Sequence, residues 1–145
     1  MLKWYYFRLM GRILAIDYGT KRVGLAVTDR LQIIASALTT VHSKDLLDFL
    51  INYISKEDVD QIVIGLPLRM DDSPSYVESH IQGFIKRFKK QFPDIPVERE
   101  DERFTSKLSQ AALVAGGMRK KKRQQKGQLD QTSAVIILQS YLGHI

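Results

Sequence analysis

The 145-residue chain contains no cysteine. That absence excludes disulfides, thiolate metal sites and a cysteine nucleophile, and it suits a reducing cytoplasm, the location expected here. Long apolar runs are missing too. None reaches the roughly 18 residues that a membrane-spanning helix needs, so no membrane partner is expected. The N-terminal stretch MLKWYYFRLM is apolar but short, Arg8 interrupts it and no small-residue cleavage site follows, so a secretory signal is not expected. Histidine is scarce: His42, His80 and His144 stand alone, far from any metal-ligand spacing. No run of aromatics forms the stacking platform used by readers of single strands.

What is present fits one domain. A hydrophobic fraction of 44% is enough for a core. Residues 1–10 show no clear period and read as an N-terminal extension, with Met10 a candidate alternative start; residues 11–145 read as a single domain. The net charge is +6, and Arg119, Lys120, Lys121, Lys122, Arg123 and Lys126 account for all of it. Outside that block, basic and acidic residues are equal at 16 each. Such a block can neutralise phosphates and release their counterions, or it can be a solvated loop.

Apolar patterning orders the elements. Arg12–Ile16, Val23–Val27 and Ile33–Val41 read as three strands with short gaps, hence an antiparallel meander. Ser43 looks like the cap of a helix carrying Leu46, Leu47, Leu50, Ile51 and Ile54. Gln61–Ile64 is a buried strand closed by Gly65-Leu66-Pro67. A helix over about 75–91 presents Val77, Ile81, Phe84, Ile85 and Phe88, and a strand follows near Val97–Asp101. Thr105 can cap a further helix that Gly116-Gly117 stops. A last helix is expected to begin near Asp130, with Ala134, Ile137, Leu138, Tyr141 and Leu142 on its inward side. The expected fold class is α/β: a five-stranded mixed sheet, three strands in an antiparallel meander plus two parallel strands, flanked by helices.

Three acids stand where chemistry is usually placed. Asp17 follows a buried strand, although Asp17-Tyr18-Gly19-Thr20 also has turn chemistry. Glu98, Glu100 and Glu102 share one face of the last strand by alternation, with Asp101 on the other. Four carboxylates so close repel one another, and a cation, or Arg99 and Arg103, would relieve that. Asp130 falls on the inward stripe of the last helix, a phase that a simple N-cap does not require. Three converging oxygen donors suit a hard divalent cation, Mg²⁺ or Mn²⁺, one or two ions, of the kind that assists phosphodiester hydrolysis.

Four segments carry a resemblance. Asp17-Tyr18-Gly19-Thr20-Lys21-Arg22-Val23-Gly24, Ile64-Gly65-Leu66-Pro67-Leu68-Arg69-Met70-Asp71, Asp101-Glu102-Arg103-Phe104-Thr105-Ser106 and Lys126-Gly127-Gln128-Leu129-Asp130-Gln131-Thr132-Ser133-Ala134 resemble, in order, the motifs of the YqgF/RuvX family, described as pre-16S rRNA nucleases and Holliday-junction-resolvase-like proteins. The similarity spans about Gly11 to Tyr141. Asp72 stands where the family often has glycine, and residues 1–10 lie outside the pattern. The resemblance implies an RNase H-like fold and a metal-dependent endonuclease maturing the 5′ end of pre-16S rRNA, with Asp17, Glu102 and Asp130 as catalytic metal ligands. It implies a nucleic-acid partner: structured RNA, such as pre-rRNA or a ribosomal particle, with branched DNA as the alternative. Lys21, Arg22, Arg103 and the block Arg119–Lys126 are the expected phosphate contacts. A non-catalytic RNA-binding assembly factor is a further reading. So is an ATPase, because the Asp17 segment also resembles the first phosphate loop of the actin and sugar-kinase superfamily. Those folds hold nucleotide between two such domains, and this chain supplies one.

Overall fold

The computed structural model describes residues 10–67, 75–102 and 126–145, with only the backbone described for 126–131. Strands β1 (Arg12–Tyr18), β2 (Arg22–Thr28), β3 (Ala35–His42), β4 (Val59–Leu66) and β5 (Val97–Asp101) form one sheet in the order β3-β2-β1-β4-β5. β1–β2 and β2–β3 pair antiparallel, β1–β4 and β4–β5 parallel. This is the mixed sheet expected from the pattern. The three-residue gap of Gly19, Thr20 and Lys21 reverses the chain between β1 and β2, whereas each parallel step needs a crossover connection. The meander turn is tight at Gly19, where any Cβ would run into the carbonyl oxygen of Arg22.

Helices α1 (Leu46–Lys56) and α2 (Glu78–Gln91) cover one face. Their buried Leu46, Leu50, Ile81, Phe84, Ile85 and Phe88 pack against Leu14, Ile16, Leu25, Ile62 and Ile64. Helix α3 (Lys126–Tyr141) covers the other face, where Ala134, Ile137 and Leu138 meet Ile13, Ala15, Ala26 and Val63. β1 is central and buried on both faces, which is why its apolar run is continuous rather than alternating. Leu50 is fully buried, and truncating such a side chain costs about 2–5 kcal/mol.

Several boundaries differ from the pattern. β1 runs past Ile16 to Tyr18 because Asp17 and Tyr18 pair with Gly24 and Val23, so Asp17 sits inside a strand rather than in a turn. Likewise β4 continues through Gly65 and Leu66, which pair with Glu100 and Asp101. Ser43 caps no α-helix. It opens a short 3-10 turn whose Lys44 N–H is taken by His42 Nδ1 at 3.1 Å, while its own hydroxyl donates to Thr20 O at 2.6 Å. Ile33 and Ile34 belong to no strand; they are exposed in a loop gathered by the Asp29 carboxylate, which accepts the N–H groups of Leu31, Ile33 and Ile34 at 3.2, 2.8 and 2.7 Å. α2 begins at Glu78. α3 is helical from Lys126, so Asp130 lies inside it and does not open it. The helix expected after Thr105 falls outside the described residues.

Candidate active site

Alternation along the strands assigns a face to each polar group. Ile13 and Ala15 face α3, so Asp17 does too. Asp17 pairs with Gly24, and Gly24 with Thr40. On its other side, the β1–β4 register that aligns Ile16 with Ile64 carries on to Gly65, which pairs with Glu100. Across the α3 face the row therefore reads Thr40, Gly24, Asp17, Gly65, Glu100. Two glycines thus flank the acid in the row.

Glu102 enters that gap. It lies just past β5, two residues beyond Glu100, and its N–H donates to Leu66 O at 3.2 Å. Its carboxyl group occupies the space a side chain at Gly65 would take. A Cβ there would be 2.8 Å from Glu102 Cδ, nearer still to Oε2, and 3.0 Å from Ile137 Cδ1 on α3. The carboxyl hydrogen-bonds with that of Asp17. Burial, then the charge of Asp17 and that hydrogen bond, push Glu102 up to about 8, against the pull of Arg99. Glu102 rather than Asp101 is thus the inward acid; Asp101 is exposed on the opposite face.

Between two carboxyl groups so placed sits either a shared proton or a cation. The donors are hard oxygens, half-buried and pressed together, with Glu102 raised by burial and by the Asp17 charge, which is the chemistry a divalent ion relieves. Among the described residues no third histidine or carboxylate joins them in one cluster. The third expected acid, Asp130, has its backbone in α3, one turn before the inward-facing Ala134; its side chain is outside the described residues.

The other expected contacts divide similarly. Lys21 and Arg22 are exposed at the turn joining β1 to β2, beyond the Asp17 end of the sheet. Arg103, Arg119, Lys120, Lys121, Lys122 and Arg123, and the side chain of Lys126, lie outside the described residues. Glu100 does not reach the pair; Ser140 Oγ of α3 donates to its Oε1 at 2.9 Å.

Two features of the site were not singled out in the sequence. Gly65 was read as a turn glycine, although it stands in the second motif; the signal was a glycine next to the last apolar residue of a buried strand. Arg99 was read as relieving the acidic cluster on β5. It does pull the pKa of Glu102 down, and beyond that it projects to the α2 face, where Nη1 and Nη2 hold Glu78 Oε2 and Oε1 at 2.8 Å each, and Nε and Nη2 donate to Ile64 O and Gly65 O at 3.2 and 2.9 Å.

Comparison with known proteins gives a consistent result. Residues 11–144 match the family model RuvX, described as Holliday junction resolvase. A protein of Christiangramia forsetii is 55% identical over 133 residues, covering 92% of this chain and 98% of that one, and one of Bacteroides fragilis is 52% identical over 133 residues, covering 92% and 96%; both bear the name "Putative pre-16S rRNA nuclease". Among solved structures, Thermus thermophilus RuvC in complex with Holliday junction substrate superposes with a TM-score of 0.54 at 14% identity, covering 92% of this chain and 96% of that one. A second RuvC structure from the same organism gives 0.52. At that identity the likeness establishes the fold, an RNase H-like one, as the four motifs implied.

Proposed function

From its membership of the RuvX family, to which this chain belongs, we propose that the protein is a divalent-metal-dependent endonuclease that hydrolyses phosphodiester bonds in the maturation of pre-16S rRNA. The observation that carries this reading is the meeting of Asp17 and Glu102 over Gly65, at the end of the sheet where β1, β4 and β5 terminate. Asp17, Glu102 and Asp130 would hold Mg²⁺ or Mn²⁺. What the cation supplies is Lewis acidity and positive charge at the scissile phosphodiester.

The chain's own residues do the rest. Asp17 and Glu102 give up their shared proton as the site loads, so loading is favoured by rising pH. Gly65, lacking a side chain, leaves the space in which the Glu102 carboxyl reaches Asp17. Lys21, Arg22 and Arg103 balance phosphate charge near the site. The block from Arg119 to Lys126 grips the backbone farther along, without reading bases. Activity resides in one domain from residue 11 to 145, acting in the cytoplasm, and residues 1–10 form an extension to which no role is assigned. Among the described residues, no helix is long and apolar enough to cross a membrane.

A second reading, cleavage of branched DNA, is favoured by the family's description as Holliday junction resolvase. Both substrates call for the same chemistry, so a direct contest decides. Purified protein is incubated with a 5′-extended rRNA precursor and with a four-way DNA junction, with and without Mg²⁺, alongside Asp17→Asn. Cleavage of the precursor alone, lost in the variant, is expected. Cleavage of the junction alone replaces the first reading with the second. Cleavage of neither leaves a non-catalytic assembly factor.

A further inference from the structure

Arg99 ties together three elements. It is rooted in β5, donates to the Glu78 carboxylate in the first turn of α2 across 21 residues of sequence, and donates to two successive carbonyls, Ile64 and Gly65, at the end of β4. The side chains are only 20% and 15% exposed, so this is a largely buried, bidentate pair. The planar fork of arginine matches it; a lysine ammonium could not span a carboxylate and two carbonyls. A buried ion pair is weak evidence of net stability and better evidence of a fixed arrangement. What is fixed here is informative. The backbone strip Ile64–Leu66 is held on one face by Arg99. On the other face it carries Glu102, whose carboxyl lies against Gly65 and whose N–H bonds Leu66 O.

We propose that Arg99 is a positioning residue of the carboxylate site, locking the end of β4 to β5 in the one register that seats Glu102 over Gly65 beside Asp17, with Glu78 holding the guanidinium in orientation. Its consequence for cleavage rests on the nuclease reading above; its consequence for the seat of Glu102 does not.

Arg99→Gln, Arg99→Lys and Glu78→Gln are compared with wild type and with Leu50→Ala, a core truncation remote from the site. Three quantities are read: Mn²⁺ affinity by electron paramagnetic resonance, kcat and KM on the cleaved substrate, and hydrogen exchange at the Glu102 amide. Groups that orient a ligand from behind typically contribute about 10–100-fold. Arg99→Gln is expected to weaken Mn²⁺ binding and lower kcat by about tenfold or more, with KM little changed. It should speed exchange at Glu102 while Ala15 and Leu25 stay protected. Arg99→Lys should behave like Arg99→Gln rather than rescue it, and Glu78→Gln should fall between. Leu50→Ala should lose thermal stability without these local effects. The proposal is overturned if Arg99→Gln only loses thermal stability, keeping wild-type Mn²⁺ affinity, kcat and Glu102 exchange. Should Arg99→Gln fail to fold, Arg99→Lys makes the same comparison. If wild type itself binds no Mn²⁺, the nuclease reading fails, while exchange at Glu102 still decides the positioning claim.

Discussion

Replacing Glu102 by glutamine tests the heart of the site without substrate or metal. The Glu102 carboxyl is raised from 4.5 to about 8, burial being the first cause and Asp17 the second. In the unfolded chain it ionises near 4.5; in the folded chain it keeps its proton far longer. A raised acid contributes stability that is complete below the unfolded pKa and is lost as pH climbs through the folded one. Metal-free wild type should therefore weaken between about pH 4.5 and pH 8, and no further above. At 1.36 kcal/mol per pKa unit the whole loss is on the order of 5 kcal/mol, shared with Asp17 because the two titrate as a pair. That is a large fraction of the stability of a domain this size. Glu78 and Asp29 are shifted the other way, and their contributions, present above their unfolded pKa values, are already close to complete at the bottom of this window, so they do not blur it. Glutamine cannot ionise and still donates to Asp17. The assay is urea unfolding in EDTA at pH 5, 7 and 9. Wild type and Glu102→Gln should agree at pH 5, and the variant should be the more stable by several kcal/mol at pH 9. Saturating Mg²⁺ should restore wild type and not the variant. Parallel pH profiles in EDTA would refute the account of Glu102 as a desolvated acid held against Asp17.

Gly65→Ala puts a methyl group into the Glu102 carboxyl; a cost of about 1–3 kcal/mol in stability and a fall of about 100-fold in cleavage rate are expected, and a rate within threefold of wild type would contradict the crowding seen there. Asp17→Asn and Asp130→Ala should each abolish cleavage while circular dichroism stays native, and retained activity in Asp130→Ala would remove that residue from the ligand set. Converting the six basic residues from Arg119 to Lys126 to glutamine should flatten the dependence of log K on log salt for duplex binding by at most about 5; an unchanged slope would mean the block does not touch the backbone. Asp29→Ala should release Ile33 and Ile34, read as faster amide exchange in the loop. The wild-type loop should loosen only as pH falls below the lowered value of Asp29, because a lowered acid contributes above its unfolded pKa.

Much of this could be read before any coordinates. Continuous apolar runs marked β1 and β4 because both are buried on each face, and the antiparallel meander of the first three strands followed from their short gaps, whereas the placing of β4 beside β1 did not. Alternation on β5 put Glu102 on one face and Asp101 on the other, which is where they are. The misses share a cause: they depend on partners distant in sequence. Asp17 looked like a turn residue because nothing local shows that Gly24 extends the ladder past Ile16. Asp130 looked like a helix start because aspartate is a good cap, whereas the backbone is already helical at Lys126. The role of Gly65 becomes visible only with Glu102 beside it, and that of Arg99 only with Glu78 and the two carbonyls of β4. Glycine and arginine carry no local signature of such use.

The strand order has a consequence for timing. β1 and β2 are joined by a short hairpin, whereas the pairings of β1 with β4 and of β4 with β5, which bring Glu102 to Asp17, span long stretches of sequence. Contacts of long sequence separation form late because loop closure must be paid before they reward it. The Asp17 ladder with Gly24 is thus expected to form before the parallel side that brings Glu102 to it. If the two acids act together as proposed, a partly folded chain that has Asp17 without Glu102 does not cut a phosphodiester that meets it. A nuclease arranged in this order is armed by the completion of its own fold.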